Sequence, residues 1–317
     1  MRRMTTANSA GGSNNASAAD KPKRPAIAPR KAPGFAPDLL KDRVIVVTGG
    51  GTGLGFSMAE GLGRAGARLL ITARNVDRLG QAADVLRSQG ITVDTLGCDV
   101  RDAEQVDAMV RRGIERCGHI DGLINNAAGN FLCPSEDLTP GGFDAVVKIV
   151  LYGTVNTTLA IGRHLIDRGA PGSIISILTP YAWTGSPFVL PSACAKSGVM
   201  TMTRSLAIEW GVYGIRLNAI APGPFPTEGA WKALVPDPSL LDGMVEKRIP
   251  MARVGEHSEL ANMAVFLMSD LCPYQNGDTV TLDGGGWLAG ASEFGEYGAY
   301  PRGPMKQLLR AMRPAKK

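Results

Sequence analysis

Short apolar runs rich in β-branched residues recur along the central part of the chain, and each predicts a buried strand. The runs lie at 43–48, 68–72, 92–96, 122–125, 173–177, 215–220 and 279–282. Most successive runs are separated by a segment long enough for a helix, of which the first is predicted from about 53 to 66. Alternating strands and helices, with largely apolar strands, are typical of a doubly wound parallel sheet in the α/β class. The sequence therefore predicts a single α/β domain over 38–290.

The two ends of the chain differ in composition from this central part. Residues 1–37 hold seven Lys or Arg side chains and one acid, Asp20, among many Ser, Asn, Ala and Pro residues. Such a segment cannot bury enough apolar surface to fold alone, and we predict a flexible, disordered basic tail. Residues 291–317 are interpreted as a C-terminal extension of undefined order. Much of the net charge of +5 lies in these ends, which favours solvated tails over a nucleic-acid-binding surface.

Composition also argues against several other classes of protein. No run reaches the roughly 18 to 20 apolar residues that a membrane span needs, and the N-terminus has no apolar signal-peptide core. The five cysteines are dispersed without a Cys-x-x-Cys pair, and the three histidines are far apart, so we expect a reduced intracellular protein without a metal site. Prolines in the second half of the basic tail disfavour a continuous presequence helix. We therefore expect a cytoplasmic protein, with a mitochondrial location as the alternative.

A glycine-rich segment joins the first predicted strand to the first predicted helix. It reads Thr-Gly-Gly-Gly-Thr-Gly-Leu-Gly over 48–55. Glycines let the backbone turn tightly and approach a pyrophosphate, and the helix N-terminus that follows offers free N–H groups. A glycine loop alone is a weak signal, but its place between a strand and a helix favours a dinucleotide-binding Rossmann fold. The predicted cofactor contacts in this loop are Gly49, Gly51, Thr52, Gly53, Leu54 and Gly55.

Further candidate cofactor contacts lie where the next strands end. Arg74 follows the second strand, in a stretch without an acid. A cation there suits the 2′-phosphate of NADP(H), whereas NAD(H) sites usually have an acid, so NADP(H) is favoured; a surface arginine paired with an acid is the alternative. Asp99, with Val100 beside it, is placed to contact adenine. Asn126 and Ala127 follow the fourth strand at the carboxyl edge of the sheet, where ligands bind in such folds.

Together, these motifs resemble those of the short-chain dehydrogenase/reductase family over about residues 40–290. The resemblance rests on the loop at 48–55, Asn-Asn-Ala-Ala-Gly at 125–129, Lys196, Pro-Gly-Pro at 222–224 and Asp-Gly-Gly at 283–285. It implies that Lys196 holds the nicotinamide ribose and that the protein forms a homotetramer. It also implies cofactor contacts after the sixth strand, at Pro222, Gly223, Pro224 and Thr227.

One position departs from the usual family pattern. Ser192 stands four residues before Lys196, where Tyr-x-x-x-Lys would have its Tyr, and a phenol occurs upstream at Tyr181, close to Thr179. Within the family, the chain is most similar to the NADPH-dependent, flavin-free 2,4-dienoyl-CoA reductases, which also use an upstream phenol. The resemblance implies reduction of 2,4-dienoyl-CoA to 3-enoyl-CoA in the β-oxidation of unsaturated fatty acids. It implies that Tyr181 is the acid, with Asn130 sharing its contact with the thioester oxygen and Thr179 as a further catalytic candidate.

The expected chemistry gives a reason for a displaced phenol. In a 2,4-dienoyl thioester, hydride goes to C5, and negative charge then spreads to the distant thioester oxygen as a dienolate. Hydrogen-bond donors must therefore lie where this charge develops, further from nicotinamide C4 than in a ketone reductase. The positive charge of Lys196 is expected to favour ionisation of a nearby phenol. Ser192 shares a helix face with Lys196 and is either a partner of Tyr181 or of substrate, or a helix N-cap.

Four residues are candidate contacts for the acyl-CoA substrate by the same resemblance. Arg101, two residues after Asp99, is the favoured cation for CoA, and Phe131 is expected to line the acyl entrance. Thr139 is a further candidate contact, and Lys232 is expected to reach a CoA phosphate from a mobile loop. Ordinary solvated charge is the alternative for Arg101 and Lys232.

A second departure from the family concerns Tyr152. It stands in Leu-Tyr-Gly-Thr at 151–154, where family members usually have an Asn that holds a water chain to the Lys. Either that proton relay is dispensable here, or Tyr152 supplies a hydroxyl to it.

Two alternative functions follow from the same residues. A related reductase of 2-enoyl thioesters or small carbonyls would keep the cofactor site and use another substrate. A non-catalytic NADP(H)-binding sensor would keep the cofactor site without turnover, although the retained Lys196, Thr179 and Tyr181 argue against a decayed site.

Overall fold

Seven parallel strands form a sheet at the centre of the protein, in the order β3-β2-β1-β4-β5-β6-β7. The computed structural model describes residues 34–227, 229 and 248–313. Each predicted apolar run is a strand, which confirms the doubly wound α/β Rossmann fold. The strands are β1 (Val44–Thr48), β2 (Arg68–Ala73), β3 (Val93–Gly97), β4 (Gly122–Asn125), β5 (Gly172–Ile177), β6 (Ile215–Pro222) and β7 (Thr279–Leu282).

Helices connect most of these strands. The helix predicted at about 53–66 begins at Gly53 and ends at Arg64, because Ala65 and Gly66 turn the chain into β2. The described helices are α1 (Gly53–Arg64), α2 (Val76–Ser88), α3 (Ala103–Cys117), α4 (Pro140–Val147), α5 (Gly153–Arg168), α6 (Tyr181–Thr184), α7 (Leu190–Trp210), α8 (His257–Met268), α9 (Gly286–Ala291) and α10 (Arg302–Ala311).

The core lies on both faces of the sheet. Ile45 and Val47 of β1 pack with α1, α2 and α8 on one face, whereas Val44 and Val46 pack with α3, α5 and the end of α7 on the other. Because both faces are covered, every residue of β1 is buried, which explains its continuous apolar run. The strand order reverses between β1 and β4, and such a reversal opens a ligand crevice at the carboxyl ends of the strands.

One apolar helical run crosses the second face of the sheet. α4 continues through a π-helical turn at Lys148–Tyr152 into α5. This run, Pro140–Arg168, has a mean hydropathy of 1.4 over its most apolar window and is the one candidate membrane span by length and composition among the described residues. Half of that window is buried, and Ile161 and Leu165 belong to the core. We therefore assign the run to the packing of the domain.

Parts of the two predicted terminal segments have defined structure. Phe35, which the sequence assigns to the basic tail, packs against the core cluster that includes the buried Leu40. In the C-terminal extension, a 3₁₀ turn at Gly295–Ala299 precedes α10, which is exposed along most of its length. Residues 1–33 and 314–317 lie outside the described residues, and so does Lys232 with its neighbours.

Candidate active site

A cavity of about 870 Å³ opens at the carboxyl ends of β1 to β4, at the point where the strand order reverses. Its walls come from the glycine loop, the end of β2, the start of α2 and the segments after β3 and β4. Predicted cofactor residues in its lining are Gly49, Gly51, Thr52, Arg74, Asp99, Val100, Asn126 and Ala127. The structure thus brings together in one cleft most of the cofactor contacts that are predicted before the fifth strand.

The glycine loop has a backbone that side chains would disrupt. Gly49 and Gly53 have φ values of +66° and +54°, a region in which a side chain is strained. A Cβ at Gly55 would lie 2.3 Å from the carbonyl oxygen of Gly49, so the helix start and the loop approach each other too closely for alanine. The loop therefore leaves backbone N–H groups at the N-terminus of α1 accessible to a ligand, as a pyrophosphate requires.

Asn126 and Ala127 hold this loop from the neighbouring strand. The Asn126 side chain donates from Nδ2 to the carbonyl oxygens of Thr48 and Gly49, at 3.1 and 3.3 Å. The Thr48 hydroxyl accepts from the backbone N–H groups of Asn126 and Ala127, both at 3.0 Å. These bonds tie the end of β1 to the segment after β4, so the two predicted residues also act on the shape of the cradle.

Two arginines, not one, border the part of the cavity next to β2. Arg74 lies there as predicted, and Arg78 of α2 lines the same cavity one turn further along the chain. Within the described residues, no ion pair between Arg74 and a carboxylate is present. Sequence analysis misses Arg78 because it considers only the residues directly after β2, whereas Arg78 lies in the first turn of α2 and lines the cavity from that helix.

Asp99 and Arg101 form an ion pair at the rim of this cavity. Arg101 donates from Nη2 to Asp99 at 2.5 Å and from Nε to both carboxylate oxygens at 2.9 Å. The hydrogen bonds from Arg101 hold the pKa of Asp99 below its usual range, and the charge of Arg74 acts in the same direction. Asp99 lines the cavity, whereas the Arg101 guanidinium is engaged with Asp99. A CoA contact of Arg101 stays a prediction.

The displaced phenol lies in a polar cluster beyond β5. Tyr181 begins α6, the short helix after β5, and its hydroxyl lies 3.0 Å from the Ser192 hydroxyl. Asn130 donates from Nδ2 to the same phenol oxygen at 3.5 Å, while its Oδ1 accepts from the backbone N–H of Phe131. Three predicted residues that are up to 62 positions apart in the chain therefore converge on one oxygen.

Ser192 is not a helix N-cap. Val189 is the capping residue of α7, and Ser192 is the third residue inside that helix, with 2% of its surface exposed. Its hydroxyl faces Tyr181, so of the open alternatives the structure supports a partnership with the phenol.

Lys196 lies one turn further along α7 and is buried. Its Nζ donates to the carbonyl oxygen of Ile177, the last residue of β5. Burial lowers the pKa of its amino group from 10.5 to about 8, because a charged group loses hydration there. The shared helix face predicted for Ser192 and Lys196 is thus present, with the amino group next to the carboxyl end of β5.

Thr179 has a buried hydroxyl without a hydrogen-bond partner among the described residues. Buried hydroxyl groups are nearly always satisfied in native proteins, and an unsatisfied one near a cleft indicates a missing ligand or water. Thr179 lies two residues before Tyr181, so the orphaned atom fits a site that takes a nicotinamide and substrate. The glycine cradle and the cavity fit a dinucleotide in the same way.

The remaining predicted ligand contacts have additional structural roles. Phe131 packs half-buried against the cluster of Val146, Val150 and Ala195, the last of which belongs to α7. Thr139 caps α4, because its hydroxyl oxygen accepts from the backbone N–H of Gly142 at 3.1 Å. These contacts explain both residues structurally, and a role in substrate binding stays a prediction for each.

Tyr152 cannot supply a buried hydroxyl to a proton relay. It ends the π-helical turn with 54% of its surface exposed, whereas the buried residue of that turn is Val150, at 1%. Val150 and Tyr152 are two positions apart, so they lie on nearly opposite sides of the helical run. The exposure of Tyr152 thus argues against the alternative in which it supplies a hydroxyl to the relay, and the residue on the inner side of the turn is the apolar Val150.

The segment after β6 borders the glycine loop. Pro222 ends β6, and a Cβ at Gly223 would lie 2.6 Å from Cβ of Asp283, so the chain passes very close to the segment after β7. Thr227 lies against Gly53, 3.4 Å from the place where a Cβ would stand. Pro224, Leu54 and Thr227 are not in the lining of the main cavity, although Thr227 lines a second cleft with Thr52 and Gly53.

No cluster of His, Cys, Asp or Glu in the described part of the chain is suited to a metal ion.

Comparison with known proteins agrees with this geometry. The family model described as "Enoyl-(Acyl carrier protein) reductase", of the short-chain dehydrogenase type, matches residues 49–286. The chain belongs to the short-chain dehydrogenase/reductase family. It is therefore an oxidoreductase that binds a nicotinamide cofactor, and the predicted family and enzyme class are confirmed.

Curated relatives in this family carry informative names. A Bacillus subtilis protein named "Probable 2,4-dienoyl-CoA reductase [(2E)-enoyl-CoA-producing]" is 41% identical over 251 residues, which is 78% of this chain and 98% of the relative. A Danio rerio protein named "Peroxisomal 2,4-dienoyl-CoA reductase [(3E)-enoyl-CoA-producing]" is 38% identical over 261 residues, covering 82% of this chain and 86% of the relative.

Solved structures of family members superpose on the same domain. A short-chain dehydrogenase from Bacillus anthracis is 41% identical, with a TM-score of 0.69 over 78% of this chain and 97% of its own. A gluconate 5-dehydrogenase from Burkholderia cenocepacia, in complex with NADP and tartrate, is 35% identical, with a TM-score of 0.75 over 81% and 99% of the two chains. The fold is thus shared with members whose names indicate different substrates.

Proposed function

We propose that this protein is an NADPH-dependent 2,4-dienoyl-CoA reductase that produces a 3-enoyl-CoA in the β-oxidation of unsaturated fatty acids. The observation that carries the proposal is the contact of the Tyr181 phenol with both Ser192 and Asn130. The names of the curated relatives support the same substrate class.

The polar cluster suits the stabilisation of charge on a thioester oxygen better than the protonation of a ketone oxygen. Tyr181 lies on α6, whereas the helix position one turn before Lys196 in α7 is occupied by Ser192, which has a short side chain. The donors Tyr181 Oη and Asn130 Nδ2 together form an oxyanion site in which charge can develop away from the carbon that is reduced. A ketone reductase needs its acid next to that carbon, and the placement of the phenol on α6 instead of α7 is our reason for favouring a thioester substrate.

The cofactor contacts of the proposal lie in the main cavity. The glycine loop and the N-terminus of α1 hold the pyrophosphate, Asp99 and Val100 border the adenine, and Arg74 binds the 2′-phosphate. Arg78, on the same wall, provides a second cation for that phosphate. When bound, NADPH supplies the hydride that C5 of the dienoyl group receives.

Each catalytic side chain then has one task. Lys196 binds the nicotinamide ribose and keeps the local field positive, which favours negative charge on the phenol oxygen and on the dienolate. Ser192 positions the phenol through the 3.0 Å contact, and Thr179 offers its unpaired hydroxyl to the bound ligands. Tyr181 and Asn130 donate to the thioester oxygen while charge accumulates there.

The substrate contacts of the proposal surround this cluster. Phe131 and Thr139 border the acyl entrance, and Arg101 turns from Asp99 toward a CoA phosphate when substrate binds. Lys232 is a further CoA contact that lies outside the described residues. We also propose a cytoplasmic homotetramer, which light scattering and cell fractionation test.

A second candidate concerns the position of the product double bond. The Bacillus subtilis relative is named for a (2E)-enoyl product, whereas the Danio rerio relative is named for a (3E)-enoyl product. Protonation of the dienolate at C2 gives the 3-enoyl product, and protonation at C4 gives the 2-enoyl product. The same donors to the thioester oxygen serve both outcomes.

The test is NADPH oxidation with a 2,4-dienoyl-CoA, with the product identified by mass and by double-bond position. Formation of a 3-enoyl-CoA supports the proposal, and a 2-enoyl-CoA supports the second candidate. Absence of turnover with dienoyl-CoA, together with turnover of monoenoyl-CoA or small ketones, overturns both. Binding of NADPH without turnover of any of these substrates favours the sensor alternative.

A further inference from the structure

His257 connects three parts of the fold that meet beside the cofactor cleft. It is the first residue of α8, and both of its ring nitrogens have partners. Nε2 lies 2.6 Å from the carbonyl oxygen of Pro226, in the segment after β6. Nδ1 lies 2.8 Å from the hydroxyl of Ser57, in the second turn of α1.

The tautomer of His257 follows from these partners. A carbonyl oxygen can only accept, so Nε2 carries the proton and donates to Pro226. Nδ1 is the partner of the Ser57 hydroxyl, whose single hydrogen is shared between Nδ1 and the carbonyl oxygen of Gly53. The Ser57 hydroxyl lies 3.1 Å from the carbonyl oxygen of Gly53. The contact from His257 therefore continues through Ser57 to the first residue of α1, within the glycine loop.

The chain around His257 runs alongside the segment after β6. The backbone N–H of Gly255 donates to the carbonyl oxygen of Pro224 at 2.9 Å, and two residues later His257 donates to that of Pro226. A Cβ at Gly255 would lie 2.2 Å from the ring of Phe225, so the two segments are in close contact. The imidazole thus makes one of at least two ties between these segments.

Ser57, the other partner of His257, lies on α1, which packs closely against α8. Helices α1 and α8 cross so closely that a Cβ at Gly61 would lie 2.8 Å from Cβ of Ala261. A side chain at the start of α8 can therefore fix the segment after β6 relative to the start of α1. Thr227, the residue after Pro226, lies against Gly53 on that side of the glycine loop.

We propose that His257 is a positioning residue for the cofactor, which holds the Pro226–Thr227 segment against the glycine loop through Pro226 and Ser57. It does not line the cavity and acts through these two partners. When the ties are present, the segment that borders Thr52 and Gly53 in the second cleft is held in place before the cofactor arrives, which lowers the ordering cost of binding. The inference rests on the proposed function only in the choice of NADPH as the ligand.

The test compares His257→Ala with His257→Gln in direct NADPH binding, measured by the change in cofactor fluorescence. The glutamine amide can donate to Pro226 and accept from Ser57, whereas alanine can do neither. We expect the alanine variant to bind NADPH about tenfold more weakly, in line with the loss of two hydrogen bonds, and the glutamine variant to recover most of the affinity. We also expect kcat at saturating NADPH to change less than about twofold in both.

Two further variants keep the test decisive. Ser57→Ala removes the support from the other side and should weaken NADPH binding in the same direction as His257→Ala, with no added loss in the double variant. His164→Ala is the matched control, because its ring accepts from the backbone N–H of Ile120, which lies just before β4 at the amino ends of the strands, away from the cofactor cleft. It should lower stability without changing the dissociation constant of NADPH.

Several outcomes would overturn the inference. Unchanged NADPH affinity in the alanine variant removes His257 from cofactor positioning, and equal impairment of the alanine and glutamine variants reduces it to a packing role. Loss of kcat with unchanged affinity contradicts it as well. If the wild-type protein binds NADPH but does not reduce dienoyl-CoA, the proposed function fails while this test is unaffected; if it binds NADH instead, the same titrations are made with NADH.

Discussion

The hydroxyl groups of Tyr181 and Ser192 lie 3.0 Å apart, although one residue starts α6 and the other lies inside α7. Ser192 occupies the helix position from which most family members would present their catalytic tyrosine. The phenol has therefore moved to the neighbouring element while keeping contact with that position. Asn130, from the segment after β4, reaches the same oxygen and makes it a shared donor site.

Replacing Tyr181 by Phe should abolish most of the turnover. The change removes one donor to the thioester oxygen, and losing one such donor costs about 10²-fold or more in kcat. The measurement is NADPH oxidation with dienoyl-CoA at saturating substrate.

The matched control for this variant is Tyr152→Phe. Tyr152 is more than half exposed on the outer side of the π-helical turn, so loss of its hydroxyl should leave kcat unchanged. Equal activity of Tyr181→Phe and wild type would remove the phenol from the mechanism, and a large loss in Tyr152→Phe would contradict its placement outside a relay.

Replacing Ser192 by Ala should lower kcat by about tenfold, the effect of one lost hydrogen bond that orients the phenol. The cofactor dissociation constant should not change. Because Ser192 is almost fully buried, Ser192→Tyr places a large ring in filled space, and we expect it to destabilise the protein without creating a ketone reductase. Efficient ketone reduction by Ser192→Tyr would show that the missing tyrosine alone sets the substrate class.

Replacing Arg74 by Glu should shift cofactor preference from NADPH toward NADH. Loss of a charge-assisted hydrogen bond to the 2′-phosphate lowers kcat/KM for NADPH by at least about tenfold. The ratio of kcat/KM for the two cofactors is the measurement. Arg111→Glu, on the exposed side of α3, has the same charge change outside the cavity and should leave the ratio unchanged. An unchanged ratio in Arg74→Glu would indicate that Arg78 alone contacts the phosphate.

The buried amino group of Lys196 should make stability depend on pH. Its pKa is about 8 in the folded protein and about 10.5 in an unfolded chain, so between these values the unfolded state binds more protons. The free energy of unfolding should therefore rise with pH through that window, relative to Lys196→Met. Below pH 8 both states are protonated, and the penalty of burying the charge is constant. Denaturant titrations of both proteins across this range provide the measurement.

Deprotonation of Lys196 should lower turnover, whereas it raises the free energy of unfolding. If the charged Lys196 supports the phenol and the dienolate, kcat/KM falls as pH rises past about 8, while stability increases. A kcat/KM that stays constant up to pH 10 would mean that bound cofactor keeps the amino group charged or that its charge is not needed. The turnover of Lys196→Met distinguishes these two explanations, because it falls only if the charge is needed.

Local sequence patterns are sufficient to locate the strands and the cofactor loop. Apolar runs predict all seven strands because strands covered on both faces must be apolar throughout. The glycines at 48–55 predict the tight approach of loop and helix because side chains are excluded there. Arg74 is found because the apolar run of β2 locates the end of that strand, and Arg74 follows it directly.

Contacts between distant segments depend on packing that no local pattern contains. The partner of Tyr181, the outward rotation of Tyr152 and the two ties of His257 all depend on how α6, α7 and α8 lie against the sheet. Periodicity assigns residues to a helix face, but it does not state which side chain of another element lies opposite. The family and the cofactor cleft can therefore be predicted from the sequence, whereas the arrangement of the Thr179, Tyr181 and Ser192 hydroxyl groups is set by the way the folded elements pack together.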